Sequence, residues 1–455
     1  MNNELWDKIS NFEFDNIDEE YDFTIRLEKE NYWTKNFAKL AILEYKKFMY
    51  LAAVSNSMVS PSEIIDKVWH QHLIFTQSYQ TFCNLINKQI QHIPSTHNRT
   101  EFEKFKEAKE RTKLLYNETF GEQPKSIWEF NNIHDSLNLK KANFKIRTFL
   151  VFGILTFVAL LLPSFYILQP IYLKINNPFF LYGFISLILV GFIFLKFYNS
   201  ISLKEIVKKI DENSFIYDLE PYELVYLENQ KIEKVINGTV NELIDEKIIL
   251  VNDDYSIRLN SFDTNKIKLK EQRQTINVLD NFEKIFYTTL IKHLARKHVF
   301  LNISNSMDAL LKYFIKSKKF GIIFYTNFCI LSAILIIGLI RVVTGMINGK
   351  PVFQIVLVSI ILIVAIIIHL NKLTKLFCIE TIPNLYKKNI LTEDQFKNNW
   401  QWNYFLLGSA ALSTSFIPIV NHIDKKRSIE STCGSSCGSS CGSSCGSSCG
   451  GCGGD

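Results

Sequence analysis

Four uncharged apolar runs divide the chain into polar blocks: Phe149 to Leu168, Phe179 to Leu195 with a helical continuation to Tyr198, Phe320 to Ile340, and Val352 to Leu370. Hydrocarbon about 30 Å thick takes roughly 20 residues of helix, because no water is present there to satisfy the backbone. The runs therefore predict two transmembrane hairpins. In the polar blocks, apolar residues recur at helical spacing. Across Asn31 to Ala53, Lys35, Lys39 and Lys46 form one stripe, while Phe37, Leu40, Ala41, Phe48 and Leu51 take the opposite side. Ser60, Pro61 and Glu63 read as the capping box of the next helix. Its apolar face carries Ile65, Val68, Trp69, His72, Tyr79 and Cys83. Thr100 and Glu103 repeat the capping signature ahead of a charged helix that Gly121 closes.

Between the hairpins, Glu220 to Leu227 and Ile232 to Lys247 read as two short helices. Ile248 to Val251 and Tyr255 to Leu259, joined at Asn252-Asp253-Asp254, read as a β-hairpin. Two helices and a hairpin have the order of a winged helix over 219–260. The predicted fold class is mainly α. It comprises an N-terminal helical domain (1–130), two transmembrane hairpins flanking a polar segment (199–319) with a small winged-helix-like α+β part, and a disordered tail (431–455). A fifth apolar stretch, Trp402 to Val420, contains Gly408, Pro418 and the run Ser413-Thr414-Ser415. It reads as an interfacial or re-entrant segment, with a fifth span as the alternative.

Lysines set the expected orientation. They flank the outer ends of both hairpins (Lys140, Lys141, Lys145 and Lys196; Lys318, Lys319, Lys372 and Lys375), whereas the connectors near Lys174 and from Arg341 to Lys350 hold few. The positive-inside rule then puts the N-terminus and the polar segment in the cytoplasm of a bacterial inner-membrane protein whose immediate partner is the lipid bilayer. The acidic opening (Glu4, Asp7, Glu13, Asp15) does not read as a signal peptide. With 21% charged residues and a formal net charge of +6, the basic excess is modest. The second helix of the winged-helix-like part balances Glu233, Glu242, Asp245 and Glu246 against Lys231, Lys234 and Lys247. Nucleic acid is therefore not an expected partner, and an unidentified protein is.

Candidate chemistry clusters in two places. The first is Trp69-His70-Gln71-His72-Leu73, followed by Tyr79, Phe82-Cys83 and His92-Ile93-Pro94, with Asp66 upstream. Over about Ile64 to Pro94 this block resembles the glycine-rich domain-containing-protein-like family of plants and bacteria, a resemblance that implies no defined activity. Imidazole and thiolate are zinc ligand types, which makes His70, His72 and His92, with Cys83 and His97, candidate metal ligands. Residues i and i+2 on a helix point about 200° apart, so His70 and His72 cannot share an ion on an unbroken helix. On that geometry His72 and Cys83 are expected in the core. A Cys83 nucleophile activated by His92, or an enzyme built on the Trp69 to His72 block, is a weaker alternative.

The second place is the tail, where Cys433, Cys437, Cys441, Cys445, Cys449 and Cys452 account for six of the nine cysteines. The Cys-Gly-Ser-Ser repeat cannot build a core, so its thiols are expected to be exposed, for zinc or copper(I) coordination, crosslinking or modification. Residues Leu219 to Leu227 resemble a Leu-x-Pro-Tyr-Glu-Leu-Ala-Tyr-Leu block in an uncharacterised family of bacterial membrane proteins that often end in Gly- and Cys-rich tails. Here Glu228, Asn229 and Gln230 replace the glycines that follow the block. No P-loop, Gly-x-Ser-x-Gly, dinucleotide-binding or His-Glu-x-x-His pattern is present, which favours a non-enzymatic interaction or scaffold protein. Metal or redox handling through the tail is the alternative.

Overall fold

A computed structural model describes residues 2–16, 19–93, 99–252, 254–260, 267, 269–390 and 399–433. The chain is mainly helical. The N-terminal part contains α1 (Asn3–Ser10), α2 (Phe23–Asn31), α3 (Lys35–Val54), α4 (Glu63–Ile74), α5 (Thr76–Leu85), α6 (Arg99–Phe120) and α7 (Lys125–Trp128). The first hairpin is α8 (Ile146–Tyr172) and α9 (Asn177–Val207). A central body follows: α10 (Pro221–Asn229), α11 (Ile232–Asp245), β1 (Ile249–Val251), β2 (Ser256–Leu259), α12 (Lys270–Leu279), β3 (Ile285–Phe286), α13 (Tyr287–Leu294) and α14 (His298–Ile315). The second hairpin is α15 (Lys318–Ile347) and α16 (Phe353–Leu376), and α17 (Ile382–Ile390), α18 (Trp400–Leu407) and α19 (Ile417–Cys433) complete the described chain.

Four helices among the described residues are long and apolar enough to cross a membrane: Ile146–Tyr172, Asn177–Val207, Lys318–Ile347 and Phe353–Lys388. α15 is the centre of this bundle. Gly338 lets the Phe184 ring approach so closely that a Cβ there would sit 2.4 Å from it, and Gly191 does the same for Ile334. Asn199 and Asn327 exchange amide hydrogen bonds of 3.0 and 2.7 Å, and His369 Nε2 lies 2.8 Å from Asn327 Oδ1. Arg341, expected in an external connector, instead lies buried on α15. Its guanidinium donates to the carbonyls of Tyr172 and Ile175 at the end of α8 and to Asn177 Oδ1. The Tyr172 carbonyl, in the last turn of α8, carries the negative end of the helix dipole and offsets the charge.

In the central body β1, β2 and β3 form one antiparallel sheet in that order, with Val251 opposite Ile257 and Ile257 opposite Ile285. The N-terminal helices do not have a separate core. One continuous apolar cluster runs from Phe23, Tyr45 and Phe82 through Leu224, Leu290 and Phe314 to Phe377 at the foot of the second hairpin. The expectation of an N-terminal domain burying a core of its own is therefore corrected. Its helices share their interior with the central body, and backbone hydrogen bonds from Ala142 to Lys316 and from Lys318 to Lys140 tie the two hairpin approaches together.

The stretch 402–420, expected as an interfacial or re-entrant segment or a fifth span, is not one continuous helix. The helix stops at Gly408, whose φ is +58°, and resumes at Ile417. Between these points the chain folds onto α11. Tyr404 donates to the Lys234 carbonyl at 2.8 Å, and Ser413 donates to Asn241 Oδ1 through its amide (2.8 Å) and its hydroxyl (2.9 Å). A Cβ on Gly238 would lie 2.8 Å from the Tyr404 ring, so this glycine makes the approach possible. Tyr404, Phe405, Leu412, Phe416, Ile419 and Val420 are buried against protein, whereas Leu407 is exposed.

Candidate metal centre at Asp66, His70 and His92

Helix α4 starts at Ser62, whose hydroxyl accepts from the Ile65 amide at 3.2 Å, two residues after the expected Ser60 cap. Ser60 is engaged elsewhere, its amide donating to Thr112 Oγ1 at 2.8 Å. Asp66 and His70 are one turn apart on α4 and therefore share a face. The helix breaks at Phe75 (ψ 63°) and restarts as α5, so the expected continuous run to Ile90 is two helices. After α5 the chain reverses through Asn87, in the left-handed region at φ +54°. The returning segment is held at several points. Lys88 Nζ donates to the carbonyls of Ala52, Ala53 and Ser55 at the end of α3 at 2.8, 3.1 and 2.9 Å. Tyr79 donates to the Ile90 carbonyl and in turn accepts from Trp69 Nε1 at 3.2 Å.

This anchoring delivers His92 to α4. Its Nε2 lies 2.9 Å from Asp66 Oδ1, and His70 Nε2 lies 3.4 Å from Asp66 Oδ2. The two imidazole centroids are 4.4 Å apart, and the Trp69 ring meets His92 edge-on at 4.6 Å. His92 is 14% exposed, Asp66 35% and His70 58%, so the three form one wall of an open groove. The groove has a volume of about 560 Å³ and is also lined by Ser55, Met58, Glu63 and Phe105.

One donor atom from each of the three residues lies within 4.8 Å of the others. Ligands at 2.0–2.2 Å from a tetrahedral zinc are about 3.3 Å apart, so the nitrogen to oxygen separations here need little adjustment to enclose an ion. Two imidazoles and one carboxylate supply three ligands and leave a position facing the groove. That donor set suits zinc and other divalent first-row ions, and such an ion would carry an exchangeable water.

His72 is on the opposite face and does not join them. Its Nδ1 lies 2.9 Å from the Tyr45 hydroxyl and its Nε2 3.2 Å from Ser78 Oγ, inside a cage of Phe12, Phe14, Phe23, Tyr79 and Phe82. Burial pushes its pKa down to about 4, so the ring is neutral at physiological pH. Its proposed place among the metal ligands is corrected for this reason. Cys83 lies in the same core beside Tyr79, whose hydroxyl burial pushes up to about 12. His92 faces Asp66, leaving a Cys83–His92 nucleophile without support from the geometry.

Asp66 is the ligand that sequence reasoning passed over as a ligand, although it was legible as the acidic residue one helical turn before His70. The side chain of Cys433, all of Cys437, Cys441, Cys445, Cys449 and Cys452, and His97 lie outside the described residues. Comparison with known protein families, with curated proteins and with solved structures finds no match for this chain.

Proposed function

We propose that this chain is a multi-pass inner-membrane protein, cytoplasmic at its N-terminus, that binds one divalent transition-metal ion at Asp66, His70 and His92. The observation that carries the reading is the convergence of three ligand-type side chains from α4 and the 88–93 return at spacings close to those of a bound ion. A cysteine tail beginning at Cys433 gives the same protein a second, softer donor set suited to zinc or copper(I). The role is binding rather than catalysis. A scaffold role is a second reading, favoured by the core that fuses the N-terminal helices, the winged-helix-like part and the α18 arm into one body beside the membrane.

The test uses the full chain in detergent with its accessible thiols alkylated, which silences the tail. Zinc titrated calorimetrically then binds at one equivalent. His92→Ala and Asp66→Ala each weaken that binding by about 100-fold, whereas a truncation before Cys433 leaves it intact. Absence of binding by the alkylated wild type, or binding unaffected by both substitutions, refutes the site.

A further inference from the structure

The N-terminal helices meet the central body along a seam of charge in which Asp22, Glu28, Glu223 and Glu271 are buried. Asp15, Glu20, Asp22 and Glu28 on one side face Asp218, Glu220, Glu223 and Glu271 on the other, and Lys35, Lys39, Lys270 and Lys297 run between them. Lys270 pairs with Asp22 and, at 3.3 Å, with Asp15; Lys297 pairs with Glu20 at 2.6 Å. Lys35 bridges Glu220 (3.2 Å) and Glu271 (3.1 Å), and Lys39 reaches Glu220 at 2.9 Å. Asn36 donates to Asp218 at 3.1 Å. Carboxyls outnumber ammonium groups by two to one, a surplus that cannot all stay ionised out of water without cost.

Two acids lie deepest. Glu28, on α2, accepts from Asn302 Nδ2 of α14 at 3.1 Å, and that amide also donates to the Ile25 carbonyl at 2.8 Å. Asn302 Oδ1, on the same side chain, is buried and has no partner. An ionised Glu28 has no proton to donate to this amide, whereas a protonated one carries an O–H on the carboxyl that the same side chain already contacts. Glu223, on α10, accepts from the Glu220 amide at 2.8 Å and from the Lys35 amide at 3.1 Å, so one carboxyl caps α10 and α3 across the seam. The Tyr386 hydroxyl of α17 faces it from behind.

We propose that this seam is a proton-dependent latch, in which proton uptake at Glu28, with Glu223 behind it, tightens the N-terminal helices on the central body and proton release loosens them. Burial pushes Glu28 up to about 7 and Glu223 up to about 8. Burial also raises Asp22 and Asp218. Glu220 is held below the usual carboxylate value, Lys35 and Lys39 overcoming the burial that opposes them. Lys35 is held above its usual value by Glu271 and Glu220 against its own desolvation. A carboxyl whose folded pKa exceeds its solvated one binds a proton when docked and releases it when exposed. For Glu28 this stabilises docking below 4.5 and is lost as pH rises from 4.5 through about 7. Glu220 acts with the opposite sign, below 4.5. Together the two make docking firmest near pH 4.5, and it weakens as pH rises toward 7. The latch is independent of whether Asp66, His70 and His92 bind metal.

Hydrogen exchange of the full chain in detergent, corrected for intrinsic rates, tests it at pH 5.5 and 8.5. Amides of α2 and the start of α3 open on the order of tenfold more at pH 8.5, while those of α15 do not change. Glu28→Gln keeps an acceptor for Asn302 Nδ2, supplies a donor for Oδ1 and cannot ionise. It recovers part of the protection lost at pH 8.5, Glu223 still ionising behind it. Equal protection of the wild type at both pH values, or a Glu28→Gln response matching the wild type's, overturns the latch. Infrared spectra of the wild type provide a check that needs no variant: a carboxylic acid carbonyl band present at pH 5.5 bleaches by pH 8.5, and its absence at pH 5.5 is equally fatal.

Discussion

His70 and His72 stand two residues apart on one helix and belong to different chemistries. His70 stands on the open groove beside Asp66 and His92, where a carboxylate and a second imidazole offer an ion three ligands. His72 points into aromatic rings, satisfied by Tyr45 and Ser78. The helix makes the difference, since a two-residue step reverses the face. One side of α4 is committed to the core, and the other is free to bind. Residues on the two sides should therefore separate when stability and metal affinity are measured independently.

The largest effect expected is on the core side. His72→Ala removes a buried ring from the cage and leaves Tyr45 and Ser78 without their shared partner. A loss of about 3 kcal/mol is expected from the combined cavity and unpaired polar groups. It is read as a fall in the unfolding midpoint of the polar body, and zinc binding by the fraction that remains folded is unchanged. A loss of metal binding without a shift in the midpoint would reverse the assignment of the two faces. On the groove side, His92→Ala is expected to weaken zinc by about 100-fold, or ~2.7 kcal/mol, with a smaller change in the melt.

Acid separates the two faces again. His72 is held at about 4 in the fold and returns to about 6.5 when solvated. Between those values the unfolded state carries the extra proton, so stability rises with pH across the interval, is complete above 6.5 and is lost as pH falls toward 4. At about 1.36 kcal/mol per unit the shift corresponds to a loss on the order of 3 kcal/mol. Glu28 works in the opposite direction, weakening the seam as pH rises toward 7 and beyond. Between 4.5 and 6.5 the two slopes cancel, so their combined contribution is level there and falls off on either side. Glu28→Gln should shallow the alkaline limb alone, Glu223 keeping part of it, and an acid limb that shallowed with it would assign both limbs to the seam.

The four spans were legible because lipid demands long uncharged helices, and Phe149 to Leu370 supplies them in pairs. The separation of His70 from His72 was legible because it needs only the helical angle. The arrival of His92 was not. It depends on a break at Phe75, with neither glycine nor proline to mark it, on a left-handed Asn87, and on Lys88 finding the carbonyls of α3. Nor does local pattern show whether an apolar stretch faces lipid or protein. Trp402 to Val420 has the hydropathy of a membrane segment, yet Gly238 on α11 opens the space that Tyr404 fills. Tertiary partners decided each of these outcomes, and those partners lie far away in sequence.

The smallest effect sharpens the comparison most. His70 is 58% exposed and 3.4 Å from Asp66, an exposed contact of a kind that contributes little. In metal-free protein, His70→Ala should shift stability by no more than about 0.5 kcal/mol. Zinc at 100 times its dissociation constant should stabilise the wild type by about 2.7 kcal/mol, because it binds the folded state alone, and should stabilise His70→Ala far less. A structural His70 would cost stability in both conditions equally. A ligand His70 costs it only when the ion is present, so the difference between the two melts, rather than either alone, identifies what the exposed face of α4 is for.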